Sequence, residues 1–475
     1  MLFRKIKSDI LAHNSYMIGA DGEAAVIDPR RDCQVYTSVA GRRDMKIAAI
    51  FETHKNEDYV SGSRELARPT GAEILHGARE EFGFGTPVRE GETFEFGSLE
   101  IEVLETPGHT IESISLLLRD RSVSDDPLMV FTGDALFAGD VGRTDLAGED
   151  HRREMSEMLY ESLHEKLLPL PDGAIVCPAH GAGSVCGGNI SDREYTSIGF
   201  ERATNRLLSM GKEEFVEYKV NERLYEPPYF TMMRRLNKAG PPLIYNLPYL
   251  RPYTARELRS LLDQEAQVVD IRSPTGFAGG HVPGTINIWR NGLPLYVGYY
   301  LNYEDPIVLV DDFNLGMGHV LRHFVRLGYD NIGGYLAGGF PAWFKQGERI
   351  GRSGIWSPSD LAERLNDPSI YILDVRKITH REESGHIRGS HHITSATSKS
   401  GLRRFRKTKR SSFTATPGSR GALRQASSRS TGSGTWQTCS GAPSGGKRRT
   451  TRWSGIDSPG GCRERGGGSA HRRGM

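Results

Sequence analysis

Lys46-Ile47-Ala48-Ala49-Ile50-Phe51-Glu52-Thr53-His54-Lys55-Asn56-Glu57-Asp58-Tyr59 is the stretch from which the fold can be read. A short apolar run bounded by polar residues is the pattern of a buried strand, and this one delivers His54 just past its end. The arrangement recurs along the chain. Leu128-Met129-Val130-Phe131 runs into Thr132-Gly133-Asp134, and Ala174-Ile175-Val176-Cys177 into Pro178-Ala179-His180-Gly181. Ala24-Ala25-Val26-Ile27-Asp28 reads as a further buried strand, and Thr106-Pro107-Gly108-His109 supplies another histidine loop. Polar groups at the ends of strands, on loops held by a rigid scaffold, are where chemistry is usually carried. His54, His109 and Asp134 stand in such loops. Residues 201–219 read as a helical close to this region, and Asn237-Lys238-Ala239-Gly240-Pro241-Pro242 as a linker, since Gly and Pro end regular structure there.

Length and composition bound the rest. At 475 residues the chain is expected to hold roughly three domains. A hydrophobic share of 37% and a charged share of 25% suit soluble globular domains. No stretch approaches the roughly 20 apolar residues of a membrane span, and Met1-Leu2-Phe3-Arg4-Lys5-Ile6 opens no signal peptide, so the expectation is a cytoplasmic protein without a membrane partner. The cysteines Cys33, Cys177, Cys186, Cys439 and Cys462 form no Cys-x-x-Cys pair, which argues against a zinc knuckle and a disulfide framework. The net charge of +2 averages two unlike parts. Residues 396–475 hold 18 Lys+Arg against 2 Asp+Glu, leaving 43 against 57 in the body.

A second α/β unit occupies about residues 248–352. Residues 254–263 read as a helix, followed by Val268-Val269-Asp270-Ile271-Arg272, Gly280-His281-Val282-Pro283-Gly284, the strand Ile307–Val310 and Gly338-Gly339-Phe340-Pro341-Ala342-Trp343. A third part, 355–393, repeats the opening with Ile372-Leu373-Asp374-Val375-Arg376 and Gly385-His386-Ile387-Arg388-Gly389. This is an internal repeat with strand and helix signals alternating. After Ile393, Ser, Gly, Arg and Thr dominate, and such a segment buries too little surface to offset its ordering entropy. Residues 394–475 are expected to be a disordered basic tail. Without regular aromatic interleaving it is not expected to be a functional nucleic-acid binder.

The first part, 1–240, resembles the persulfide dioxygenase branch of the metallo-β-lactamase superfamily. Thr53-His54 with Asp58, Pro107-Gly108-His109-Thr110, Thr132-Gly133-Asp134, Gly142-Arg143-Thr144-Asp145 and Pro178-Ala179-His180-Gly181 carry the likeness. The two repeats resemble rhodanese domains through Asp-x-Arg, Gly-His-x-x-Gly and, in the first, Gly-Gly-x-x-x-Trp. The resemblance implies an αββα metallo-β-lactamase sandwich, followed by rhodanese-like α/β domains of which the second is incomplete. It also implies one Fe(II) per chain on His54, His109 and Asp134, oxidising a low-molecular-weight persulfide such as glutathione persulfide with O₂ to sulfite. Dinuclear members of that superfamily carry His-x-His-x-Asp-His, and here Asn56 and Tyr59 replace the second and third histidines. Two imidazoles and one carboxylate are the facial set of a non-haem iron oxygenase with open positions. Asn56, Asp58, Tyr59 and His180 are expected to orient ligands and substrate. Arg143 is a candidate to hold a substrate carboxylate through its planar fork, or else to form an ion pair with Asp145. Cys186 is a candidate to handle the persulfide near the metal. The alternatives are a zinc thioester hydrolase of the glyoxalase II type and a non-catalytic sulfur-carrier scaffold. The thiol carrier and a homo-oligomeric state are left open.

Rhodaneses transfer sulfur through a cysteine in a loop whose backbone N–H groups stabilise the anion. In the first repeat that loop is Asp311-Asp312-Phe313-Asn314. It has no cysteine, and its carboxylates would repel a sulfur anion, so it is expected to be a pseudo-rhodanese. The second repeat loses its pattern before the loop. Re-read one base earlier, Ser412–Pro417 can encode Val-Tyr-Cys-Asp-Ser, and residues 438–447 Val-Leu-Gly-Gly-x-x-Gly-Trp-Lys. A reading-frame change near codon 394 is therefore the favoured account of the tail, and Cys439 and Cys462 are poor substitutes for the missing cysteine.

Overall fold

The computed structural model describes residues 1–8, 10–376 and 378–393, and beyond them only the backbone of Ser412–Pro417, Leu423–Arg424, Trp436–Gly441 and Ile456–Asp457. The remainder of the tail expected to be disordered lies outside the described residues. Contacts divide the chain into two compact units. One comprises Met1–Pro274 and Val282–Arg349, and the other includes Thr275–His281 and most of the chain from Ile350 onward.

The first unit opens with two six-stranded sheets. One has the strands Leu2–Ser8, His13–Ala20, Glu23–Ile27, Lys46–Glu52, Glu73–Gly77 and Thr86–Val88 in chain order. The other runs Thr196–Ser197, Ile175–Pro178, Met129–Gly133, Ile114–Asp120, Leu99–Glu105, Thr93–Phe96. The alternation of side chains along each strand sorts the apolar residues into layers. Ala25, Ile27, Ala49, Phe51, Leu116, Leu118, Phe131 and Cys177 meet between the sheets. Ala24, Val26, Ile47 and Ile50 turn outward under Tyr36, Ala40 and Leu66 of the helices Gln34–Arg42 and Ser63–Thr70. Leu117, Val130 and Val176 do the same under Leu159 and Phe215 of the helices Arg152–Glu161 and Lys212–Asn221. The result is a four-layer αββα sandwich. Each fully buried Phe or Ile contributes about 1.5–3 kcal/mol, and a one-residue slip would exchange the inner and outer sets.

The region read as one helix over 201–219 is three short pieces, Ile198–Thr204, a 3₁₀ turn Arg206–Ser209 and Lys212–Asn221. Asn205 breaks the first by adopting extended backbone and accepting from Leu207 N. The expected linker also begins later than its composition suggests. Asn237, Lys238 and Ala239 end the helix Phe230–Ala239, and Gly240, with φ of 85°, terminates it.

In the first repeat the parallel strands lie in the order Arg251–Tyr253, Ile332–Leu336, Ile307–Val310, Gln267–Asp270, Ile286–Asn287. Thr254 caps the helix Ala255–Asp263 through a capping box with Glu257. Its core is continuous with the preceding domain, since Tyr59, Val60, Tyr229, Phe230 and Met233 pack in one cluster with Leu293, Val297, Phe324 and Tyr329.

In the second unit Gly354–Trp356, Trp436–Gly441, Ser412–Pro417, Ile372–Asp374 and His391–His392 lie side by side in parallel. This order reproduces that of the first repeat strand for strand. The Asp-x-Arg pair is repeated too, as Arg272 Nη2 donates to Asp270 at 2.6 Å and Arg376 Nη2 to Asp374 at 2.7 Å. No helix among the described residues is long and apolar enough to cross a membrane.

Candidate metal centre

The candidate ligands follow the ends of strands drawn from both sheets. Lys46–Glu52 ends two residues before His54, and Met129–Gly133 directly before Asp134. Ile175–Pro178, parallel to Met129–Gly133, ends two residues before His180. Gly108 and Gly133 are needed at these turns. Gly133 has φ of 52°, and a Cβ there would lie 2.8 Å from Thr53 Oγ1. Gly108 has φ of 135°, and a Cβ would strike Leu159.

His54, His109 and Asp134 are fully buried and converge. His54 Nε2 lies 3.5 Å and His109 Nε2 3.4 Å from Asp134 Oδ2. The other nitrogen of each ring is engaged. His109 Nδ1 donates to the Arg143 carbonyl at 2.9 Å. His54 Nδ1 donates to Thr53 Oγ1 at 2.9 Å, and that hydroxyl donates to Asp28 Oδ2 at 2.8 Å. Both tautomers are thereby set with a lone pair on Nε2. Neither Nε2 has a hydrogen-bond partner although both are buried. Unpaired buried acceptors facing a carboxylate are costly unless a cation joins them. Separations of 3.4 and 3.5 Å are those of two bonds of about 2.1 Å to a common ion. The donor set therefore fits a divalent metal.

His180 also reaches the centre, as the partner of its carboxylate. Nδ1 donates to Asp134 Oδ1 and Oδ2 at 2.7 and 2.9 Å, and Nε2 to Asp58 Oδ1 at 3.2 Å. Carboxylates only accept, so both ring nitrogens carry protons. Burial opposes that charge, but Asp134 and Asp58 outweigh it and raise the His180 pKa well above the ordinary value. His54 is raised to about 9, burial again being overcome by Asp134. His109 is pushed down to about 3 by burial, Asp134 only partly offsetting it. Asp134 is held well below the usual carboxylate range because His180 and His54 outweigh its burial.

Asn56 and Tyr59 are both buried beside the centre. The Tyr59 ring packs 4.0 Å from that of His13, and its buried hydroxyl has no hydrogen-bond partner. Asn56 donates to the His54 carbonyl at 3.3 Å, and Asn237 donates to the carbonyls of Asn56 and Tyr59 at 2.6 and 2.8 Å. Cys186 is fully buried, with a thiol that can meet Asp58 and His180, and likewise His109 and Asp134, within 4.8 Å. Burial first, then Asp58, push that thiol well up.

Of the two roles open to Arg143, the structure shows the ion pair with Asp145. Arg143 does not present its fork to a substrate. Nε and Nη2 close on Asp145 at 2.7 and 2.8 Å, and Nη1 serves the carbonyls of Val185 and Tyr225. Its side chain is fully buried, so the ion pair with Asp145 consumes the donors that a substrate carboxylate would need. Its contribution is to hold the loop whose carbonyl orients His109.

Three carboxyl groups around the centre carry no distinguishing mark in the sequence. Asp28 ends a strand and accepts from Thr53 N and Oγ1, both at 2.8 Å. Glu57 is buried, and its Oε2 lies 3.9 Å from His109 Nε2. Burial and Glu112 raise Glu57 to about 8, with His54 opposing. Glu112 accepts from Lys55 N and Thr110 Oγ1, both at 2.8 Å. An acid buried beside histidines was the available signal, but burial of loop residues is not readable from local pattern.

At the first repeat's loop, Asp311 Oδ2 accepts from Asn314 N at 2.8 Å, Phe313 N at 3.3 Å and Arg290 Nη2 at 2.8 Å. Asp312 faces Arg272 at 3.6 Å. The amides that would cradle a sulfur anion are occupied by the loop's own carboxylate.

The metallo-beta-lactamase superfamily profile matches residues 9–180, and the rhodanese-like domain profile matches residues 254–346 and 357–427. The chain belongs to the metallo-beta-lactamase superfamily and carries rhodanese-like domains behind that fold. Within the superfamily it is homologous to the persulfide dioxygenases. It is 30% identical to the mitochondrial persulfide dioxygenase ETHE1 of Bos taurus over 225 residues, 45% of this chain and 77% of that one. Hydroxyacylglutathione hydrolase GloC of Haemophilus influenzae is 29% identical over 208 residues, 39% of this chain and 87% of that one. Among solved structures, a metallo-beta-lactamase from Staphylococcus aureus superposes with a TM-score of 0.63 at 31% identity, over 71% of this chain and 98% of that one. That share exceeds the first domain, so the likeness extends into the repeats.

Proposed function

We propose that the protein is an iron-dependent persulfide dioxygenase acting on a low-molecular-weight persulfide such as glutathione persulfide. The reaction is RSSH + O₂ + H₂O → RSH + SO₃²⁻ + 2H⁺. The outer sulfur is oxidised, O₂ is reduced, and the thiol leaves. The reading rests chiefly on the convergence of two unpaired imidazole Nε2 atoms on Asp134, with Asn56 and Tyr59 where a second metal's ligands would stand. Homology to persulfide dioxygenases supports it.

His54, His109 and Asp134 would hold Fe(II), which would supply the redox chemistry for oxidising the persulfide sulfur with O₂. The protein's own part is positioning. Thr53 and the Arg143 carbonyl fix the two imidazoles, and His180, protonated between Asp134 and Asp58, fixes the carboxylate. Cys186 borders the space that the substrate sulfur would enter. Its raised pKa keeps it a thiol, so it meets the persulfide as a hydrogen-bonding neighbour unless a metal lowers that value. The rhodanese-like repeats are assigned to sulfur transfer in the ancestral arrangement, degenerate in the first and truncated in the second. A cytoplasmic location forms part of the proposal and is tested by fractionation.

The test is metal content by mass spectrometry on anaerobically purified protein, together with O₂ uptake on adding glutathione persulfide. About one iron per chain with persulfide-dependent uptake is expected. A pair of zinc ions with no uptake would favour the thioester hydrolase to which GloC points, and no metal would favour the scaffold.

A further inference from the structure

We propose that Glu57 is a further ligand of the metal, joining His54, His109 and Asp134 to give the ion a second carboxylate. The inference deepens the iron reading above and rests on it.

Three observations carry it. First, Glu57 is 1% exposed, yet its Oε2 is buried without a hydrogen-bond partner. A buried carboxylate is ordinarily paired or bound to metal. Neither neighbouring cation bonds to it: the Lys55 ammonium is on Glu80, and Arg234 places Nη2 on Glu226 while its buried Nη1 makes no hydrogen bond. Second, the unsatisfied oxygen borders the two unsatisfied nitrogens. His54, Glu57 and His109 each offer an atom such that all lie within 4.8 Å of one another, and Glu57 Oε2 is 3.9 Å from His109 Nε2. Three orphaned buried donor atoms on a common face call for one cation. Third, the loop is braced so that Glu57 faces inward. Lys55 N is anchored on Glu112 Oε1, and the carbonyls on either side of Glu57, those of Asn56 and Tyr59, are gripped by Asn237.

The chemical consequence is a centre of two imidazoles and two carboxylates. The two carboxylates of Asp134 and Glu57 would match the charge of Fe(II), which would supply the redox chemistry. The loop that has lost two histidines thus regains a ligand from the residue between them.

The test uses the full chain, stripped of metal under anaerobic conditions and titrated with Fe(II) against a chromophoric chelator. Parent, Glu57→Gln, Glu57→Asp and His54→Ala are compared. Glu57→Gln keeps the shape and removes the charge, while Glu57→Asp keeps the charge and withdraws it by a methylene. Both are expected to weaken Fe(II) binding by roughly 10- to 100-fold or more. The metal-free melting temperature of Glu57→Gln is expected to equal or exceed that of the parent, because an unpaired buried acid has gone. Cobalt(II) bound to the parent is expected to show visible d–d bands that change in Glu57→Gln. Binding by Glu57→Gln within about twofold of the parent, while His54→Ala loses the metal, would overturn the inference and leave the iron reading intact. A parent that takes up no Fe(II) would overturn both. If Glu57→Gln does not fold, Glu57→Asp decides the matter by the same criterion.

Discussion

The hydroxyl of Thr53 stands between two groups that need it, donating to Asp28 and accepting from His54 Nδ1. Without it the imidazole is free to turn or change tautomer, and Asp28 loses a buried donor. Thr53→Val keeps the branched shape and removes only these bonds. It is expected to weaken Fe(II) binding by roughly 10- to 100-fold and to cost about 1–3 kcal/mol of stability. Chelator competition and urea unfolding check the two numbers. A variant that binds iron like the parent would show that His54 is oriented by something other than this hydrogen bond. Legibility at this scale divides along one line. His54, His109 and Asp134 were legible through the family-like motifs that flank them, Thr53-His54, Pro107-Gly108-His109 and Thr132-Gly133-Asp134, and the structure brings the three together. Asp28 was in plain view at the end of another strand, and Glu57 in the His54 loop. The part of Asp28 depends on its tertiary bonds to Thr53, and that of Glu57 on an oxygen left unpaired inside the fold, where Glu112 and Asn237 hold the loop.

At the scale of elements, the helix Met317–Arg326 is tied to the loop before Gln34–Arg42 by a buried bidentate pair. Arg326 Nε and Nη2 reach Asp32 at 2.7 and 2.8 Å, and Arg322 adds a contact at 3.7 Å. Asp32→Ala strands the Arg326 guanidinium in a buried site, and the expected cost is about 3–5 kcal/mol, measured by urea unfolding of the full chain. A loss below about 1 kcal/mol would place the pair among weak surface bridges. The same helix carries a pH-sensitive residue. Burial and Arg326 push His323 down to about 3, against about 6.5 in an unfolded chain. The unfolded state therefore binds the extra proton between these values. The stabilising effect of keeping His323 neutral is fully present above about 6.5 and is lost progressively as pH falls below it. His323→Leu is expected to flatten the decline in stability between about pH 6.5 and 4 relative to the parent, as read from unfolding midpoints across pH. Parallel curves for the two proteins would sink the assignment. The strands and their faces were legible, because alternation along Glu23–Ile27 and Lys46–Glu52 sorts inner from outer residues. The breaks within 201–219, and the helix that runs to Ala239, were not. Asn205 acts there through backbone geometry, and Asn237 through a tertiary contact.

Taken as a whole molecule, the chain pairs a candidate metal centre, whose proposed ligands all precede residue 181, with two rhodanese-like sheets that share one strand order. In the first sheet Asp311 sits on the amides that a sulfur anion would use. In the second, Ser412–Pro417 lies where Ile307–Val310 lies in the first, between the counterparts of Ile332–Leu336 and Gln267–Asp270. This is the segment that, re-read one base earlier, can encode Val-Tyr-Cys-Asp-Ser. A chain identical through Ile393 and continued in that earlier frame would set a cysteine at the end of that strand, where a loop of backbone amides can stabilise its thiolate. The expected outcome is a separation of activities. Both chains bind iron and consume O₂ with glutathione persulfide equally, since every proposed ligand precedes the altered region. Only the frame-restored chain converts thiosulfate and cyanide to thiocyanate above background. If the chain as it stands forms thiocyanate as fast as the restored one, sulfur is passing through another thiol, and Cys186 becomes the residue to replace. If the restored chain forms none, the tail is a divergent sequence and the sheet order alone does not make a sulfurtransferase.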